Sequence, residues 1–339
     1  MGGLTEARSR RRYRRGRRLR SNQRGLVAVI GTLLALLVFF ALFGVFLTQY
    51  VPLWMSSNES AFTSSAQGSF AQLKSDIDTQ YIFGGPPTMG VPFQVSSQGV
   101  PLIAQPTQGT LEFLPQTCPG GFYAPGVQGA SKTNYGQPVN SSFCVFENQS
   151  LSVGPGGSKA LYLNVEMGVV TMILPNRYYP AQELEYEADG VIQTQTQDYE
   201  LMAYAPPLNV SKIAGNTTVS SSFVQMYGNS SIVIGQGAQE VYSHLRFDQH
   251  YTSRGSSTTP AFNYTFEIGT QFPCAWSRFI QHQLNVSAIS SSQIIWSPYT
   301  GSCVDLNGMT TKLTLELTSV NYASIYFAGT VITVGIGSS

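Results

Sequence analysis

The chain has 339 residues, with 19 Lys and Arg against 18 Asp and Glu and a formal net charge of +1. That average joins two opposites: ten arginines (Arg8, Arg10, Arg11, Arg12, Arg14, Arg15, Arg17, Arg18, Arg20, Arg24) crowd the start, and beyond Arg24 stand 9 basic against 17 acidic residues, a balance of −8. An acidic body excludes nucleic acid as its natural partner, because phosphate contacts need clustered Lys and Arg; its length leaves room for one large domain or two smaller ones.

Residues 1–25 read as a basic cytoplasmic tail. Leu26 to Thr48 then pass without a charge, and at about 1.5 Å per residue such a run crosses roughly 30 Å of hydrocarbon as one helix. Arginines in front of it hold the N-terminus in the cytoplasm and place the rest of the chain outside. A cleaved secretory signal has a shorter apolar stretch of about 7–15 residues. This one is longer and runs into Tyr50 and Trp54, aromatics suited to a membrane interface. We therefore take 26–49 as a retained transmembrane segment with the lipid bilayer as its partner. Phe62, Ala66, Ser69, Phe70, Leu73, Ile77 and Tyr81 recur at three- and four-residue steps, which continues the helix as an amphipathic stalk over 50–81. Pro52 kinks it rather than ending it, and Gly84-Gly85-Pro86-Pro87 stops it.

From residue 82 onward the pattern turns to period two. Residues 82–158 are irregular. Ala160–Leu174 alternates, and Leu184–Glu187 and Val191–Thr196 flank Ala188-Asp189-Gly190 as a hairpin around an Asp-Gly turn. Ser230–Ile234, Val241–Phe247, Asn263–Ile268, Leu313–Leu317 and Tyr322–Ile336 read as further strands, and Ala275–Leu284 as the one helix among them. The expected fold is α+β and membrane-anchored: one long N-terminal helix, then an extracellular, mainly antiparallel, sandwich-like β domain over 82–339, as one or two subdomains.

Gln23-Arg24-Gly25-Leu26, with Ile30-Gly31-Thr32-Leu33 behind it, resembles the N-termini of archaeal type IV pilin-like proteins, the superfamily that includes archaellins. The resemblance covers about residues 20–55. It implies cutting by a prepilin-type peptidase between Gly25 and Leu26, with Arg24 before the cut, and a helix that bundles with copies of itself or of related subunits. Bacterial members carry a Glu at the fifth mature position, where this chain has Ile30. A head of about 255 residues is large for a major filament subunit, which favours a minor or tip subunit or an adhesin.

Four cysteines lie beyond the apolar run, and an oxidising exterior makes them disulfides. Three pairings are open; nearest-neighbour bridges, Cys118–Cys144 and Cys274–Cys303, close the shortest loops. Eight N-x-S/T sequons, at Asn58, Asn140, Asn148, Asn209, Asn216, Asn229, Asn263 and Asn285, fit a glycosylated surface. The outer part is poor in charge and rich in hydroxyls and amides. Such a surface avoids the loss of paired carboxylates in acid and fits either acidic surroundings or a glycan coat.

Catalytic signatures are sparse: neither H-E-x-x-H nor G-x-S-x-G occurs. His244 and His250, at alternating positions of one strand, would share a face and are weak metal candidates, against a plain solvated face. Glu183, Glu185, Glu187 and Asp189 alternate along one strand; Glu185, Glu187 and Asp189 are weak calcium candidates, against a water-facing row that resists edge pairing. No cofactor is expected, and the expectation is a non-enzyme: a pilin-like structural or adhesive protein of an archaeal envelope. The alternatives are an uncleaved signal-anchored glycoprotein that binds carbohydrate or protein, and an anchored hydrolase using the histidine face.

Overall fold

The computed structural model describes residues 27–85, 88–100, 103–115, 143–152, 158–195, 199–235, 237–255, 261–301, 303 and 311–336. A single helix, α1, spans Val27–Phe83, 57 residues. Its one irregularity is a π segment at Phe46–Tyr50, where the Val51 N–H reaches back to the Phe46 carbonyl. Pro52 supplies the reason. It lacks an N–H, and its ring crowds the carbonyl of Thr48 four residues back; a wider turn just before it absorbs the misfit without ending the helix. The stop is glycine-based: Gly84 takes φ +68°, and the N–H groups of Gly84 and Gly85 both return to the Gln80 carbonyl, as in a Schellman cap.

Along its rear half α1 buries Met55, Phe62, Ala66, Phe70, Leu73 and Ile77. The segment read as a stalk is thus a core helix of the head. Its apolar stripe follows the spacing in the sequence and adds Glu59 and Gln80, both fully buried.

Sixteen strands among the described residues form three sheets. The first has the order β1 (Met89–Gln94), β12 (Ala238–Arg254), β16 (Tyr322–Ile336), β10 (Asn216–Tyr227), β9 (Asn209–Ile213). The second runs β11 (Ser231–Ile234), β2 (Thr110–Leu114), β5 (Val169–Leu174), β6 (Gln182–Glu187), β7 (Gly190–Gln195), β8 (Tyr199–Tyr204). The third runs β14 (Ile294–Trp296), β15 (Thr311–Val320), β13 (Phe262–Thr270), β3 (Phe143–Ser152), β4 (Ser158–Met167). All pairs are antiparallel except β10 with β16. The 82–158 stretch, expected to be irregular, contributes β1, β2 and β3. The β6–β7 hairpin forms, with Glu187 opposite Gly190. Its central turn residues are Ala188 (φ +48°) and Asp189 (φ +65°), so the Asp-Gly pair sits one step later than the expected turn.

Two cores result, one on each side of the first sheet. On one side α1 packs between that sheet and the second, with Phe70, Val91, Phe93, Leu111, Tyr186 and Ile332 at its heart. On the other side the third sheet and the helix α2 (Pro273–Val286) gather around Trp276, Phe223, Phe266, Ile325 and Leu315. β10 feeds both by alternation: Val219 and Phe223 enter one core, Val224 and Met226 the other. A strand buried on both faces reads as a near-continuous apolar run, as β16 does.

Candidate functional site

Three features can carry function, and each is set by α1. The first is its front half. From Val27 to Tyr50 no residue is buried, and Leu33, Leu36, Leu37, Phe39, Phe40 and Leu42 are all widely exposed. At helical rise this rod is about 36 Å long, and it is apolar on every side. Where it enters the head, Val51 and Met55 pack with Val100, and Phe46 and Ala104 lean on them. Tyr50, Leu53 and Trp54 stay exposed at that junction. Arg24, Gly25 and Leu26 lie outside the described residues.

The second feature is a set of buried acids. Glu59 accepts from the Thr107 hydroxyl (2.6 Å) and from the backbone N–H groups of Arg177 (3.0 Å), Tyr178 (2.7 Å) and Tyr179 (2.8 Å). Burial pushes its carboxyl up, but these four donors outweigh it and hold Glu59 below the usual value. The sequence reading missed this residue. Its signal was a carboxylate placed in step with Met55, Phe62 and Ala66 on the helix's buried face.

Higher in the head, Glu185, Glu187 and Asp189 are 6%, 1% and 0% exposed. The expected water-facing row is therefore wrong for these three. β6 is covered on both sides, with Leu184 and Tyr186 facing one core and Glu185 and Glu187 the other. Glu187 accepts from Thr270 Oγ1 (2.6 Å) and from the Trp276 indole N–H, which ties β6 to β13 and α2. Glu185 accepts from Thr171 Oγ1 (3.1 Å) and lies against Glu187. Burial pushes Glu187 up to about 7, against the pull of Thr270, Trp276 and Glu185. Glu185 rises well above its usual value through burial and the neighbouring Glu187 and Glu183 charges. Asp189 accepts from Lys74 Nζ (2.8 Å) and the Tyr186 hydroxyl (3.1 Å). Burial still lifts it to about 7, against Lys74. Glu200 receives the Ala275 N–H at 3.0 Å at the start of α2. Among the described residues, no three His, Cys, Asp or Glu side chains are grouped so as to hold a metal ion.

The third feature is an open cleft of about 720 Å³ beside the upper end of α1. Lys74, Asp78 and Tyr81 of α1 form one wall, with the exposed Ile82 at its rim. Asp248 and His250 of β12, Tyr326 of β16 and Ser220, Ser221 and Ser222 of β10, three neighbouring strands of the first sheet, form the floor, and Ala205 and Pro207 the rim. His250 stacks on Tyr326, ring centroids 3.8 Å apart and 5° from parallel, and Tyr81 meets Tyr326 edge-on at 5.5 Å. His250 Nε2 also bonds Ser324 Oγ at 2.9 Å.

His244 is not in this cleft. The register of β12 shifts between Leu245 and Phe247, so that His244 lies opposite Val331 and His250 opposite Tyr326. Those partners are an odd number of residues apart on a regular strand and so point to opposite faces. The bulge, one extra residue in β12, turns the expected shared histidine face into two separate ones.

A disulfide joins Cys274 to Cys303, with Cα atoms 5.8 Å apart, and fixes the first turn of α2. Cys118 lies outside the described residues, and Cys144 is described only as a backbone position on β3. Of the sequon asparagines, Asn209, Asn216, Asn229, Asn263 and Asn285 are exposed. Asn58 is half-buried, its amide donating to the Gln98 carbonyl at 2.9 Å. Asn148 is placed only as a β3 backbone position, and Asn140 lies outside the described residues. Comparison with protein-family models, curated proteins and solved structures gave no match to this chain.

Proposed function

We propose that this chain is a single-pass protein of an archaeal cell envelope, N-terminus inside and head outside, with a structural or adhesive rather than enzymatic role. In this reading a prepilin-type peptidase cuts between Gly25 and Leu26, and the mature protein works as a pilin-like minor or tip subunit. One observation carries the reading: an apolar rod with no buried residue is continuous, through the π turn at Phe46–Tyr50, with a helix that is the centre of the head's core. Removing the rod after its apolar run would cut inside one unbroken helix. A rod that is greasy on all sides suits lipid as a monomer and neighbouring copies as a bundle, where Phe39, Phe40 and Phe43 would pack between helices.

The Cys274–Cys303 bridge is in keeping with an oxidising exterior, and five exposed sequon asparagines leave room for glycans. The hydrolase reading loses its support once His244 and His250 part. N-terminal sequencing of the protein from its own membrane tests the proposal. A mature start at Leu26, together with oligomers lost when Gly25→Val blocks the cut, is the expected result. A start upstream of Leu26 removes the pilin-like reading and leaves an uncleaved anchor.

A further inference from the structure

We infer that the cleft between α1, β10, β12 and β16 is a binding site for a neutral carbohydrate. Its size falls within the ~300–1,000 Å³ of small-ligand sites, and it has their make-up, a mainly apolar lining with a few convergent polar groups. The charges select the ligand class. Among the described residues lining it, Lys74 is the only Lys or Arg, and its ammonium is committed to Asp78 (3.2 Å) and Asp189 (2.8 Å). Asp78 and Asp248 stay open to the cleft. No free cation is left among the described lining residues to meet a phosphate, sulfate or uronate, and the two carboxylates repel one.

The remaining chemistry matches sugar hydroxyls and ring C–H bonds. The Tyr326–His250 stack offers a flat aromatic plate with His250 outermost and exposed, the surface on which the apolar face of a pyranose rests. Along the floor, the exposed Ser220 presents a hydroxyl that both donates and accepts, while Ser222 is buried beside it. The Tyr81 hydroxyl is closed off from solvent, and the residue contributes its ring, set edge-on against Tyr326. Asp78 and Asp248 accept from paired sugar hydroxyls, bonds stronger than those between neutral groups. Ile82 and Pro207 at the rim supply apolar contact at the mouth.

The site does not depend on processing at Gly25 or on assembly. The test uses the full chain in nanodiscs against an array of neutral gluco-, manno-, galacto- and N-acetylglucosamine oligosaccharides, with sialylated and sulfated glycans and spermidine as contrasts. Neutral glycans alone are expected to bind, with calorimetry giving the affinity. Asp248→Asn and His250→Ala change exposed side chains, and each should weaken binding about tenfold or more, since a charge-assisted bond or a stacking face is lost. Ile82→Arg, on the rim, should block the mouth while the melting temperature stays put. Binding of no neutral glycan, a preference for spermidine or acidic glycans, or neutral-glycan binding that survives all three changes would each overturn the assignment.

Discussion

Glu59, near the foot of the head, and the Glu185–Glu187–Asp189 group, higher up, are all closed to solvent and are held in opposite ways. Four donors converge on Glu59, three of them backbone N–H groups of one loop, and its carboxyl is pulled below the usual value. Glu187 has two donors and an acidic neighbour, and Asp189 has a lysine and a phenol but keeps Oδ2 without a partner. Both are lifted to about 7. Two things separate the two places: Glu59 lies under a thinner cover of protein than Glu187 and Asp189, and it has more donors. The consequences for pH have opposite sign. Glu59 contributes stability above its unfolded pKa, and this is lost as pH falls through its folded one. For Glu187 and Asp189 the unfolded chain gives up protons near pH 4 that the fold keeps until about 7. Stability therefore declines as pH rises across that window and then levels. The two sites pull in opposite directions, and mildly acidic conditions are the compromise: Glu59 is ionised there, and Glu187 and Asp189 have lost only part of their contribution.

The largest effect is expected at the well-supplied site. Glu59→Ala strands the buried Thr107 hydroxyl and three N–H groups on the inner side of the 177–179 surface loop, and unties that loop from α1. A loss of about 3–5 kcal/mol is expected, read as the largest drop in melting temperature of the variants named here. A loss under about 1 kcal/mol would mean that water reaches those donors and that the site is not closed. Lys74→Met comes next and carries a pH signature. Above pH 7 it removes the ammonium that holds Asp189 down, so the buried carboxyl must take up a proton or stay charged and unpaired at zero exposure, costing about 2–4 kcal/mol. Near pH 5, where Asp189 keeps its proton, the cost should shrink to under about 1 kcal/mol. An equal cost at both values would break the assignment of a raised Asp189.

The contrast between these sites also marks what the sequence could disclose. Helix α1, its glycine stop, α2 and the strands β11, β12, β13, β15 and β16 were legible because each shows a clean period or a chemical stop, whereas the three-residue β14 was not. β10 was hidden: Ser220-Ser221-Ser222 sits inside a core strand, and small hydroxyls carry no apolar rhythm. The acid row was seen, but its surroundings were not. Alternation of Glu with Leu184 and Tyr186 looks like one dry and one wet face, and only the third sheet and α2, brought from over 70 residues away, make both faces dry. The histidine pair failed for a local reason, since one extra residue near Arg246 reverses side-chain parity. The cleft joins residues from 74 to 326 and leaves no motif at all.

Two smaller changes sharpen the comparison. Glu187→Gln keeps an amide oxygen for Thr270 and Trp276 and removes the titrating group. Wild-type melting temperature should fall between pH 5 and 8, and in the variant that fall should shrink, by about 1.4 kcal/mol for each factor of ten by which folding had tightened the proton's hold on Glu187. An unchanged slope would place the proton elsewhere in the group. Asp78→Asn is expected to do least. Its side chain is 37% exposed and meets Lys74 one helical turn away at 3.2 Å, a surface pair worth about 0.5 kcal/mol or less. Because Lys74 keeps Asp189, the lost partner leaves no buried charge unpaired. A melting change near zero with the Lys74→Met effect intact would show that the ammonium is held by the buried acid. A drop as large as that of Lys74→Met would instead make Asp78 the true anchor and erase the distinction between a supplied and a starved carboxylate on this helix.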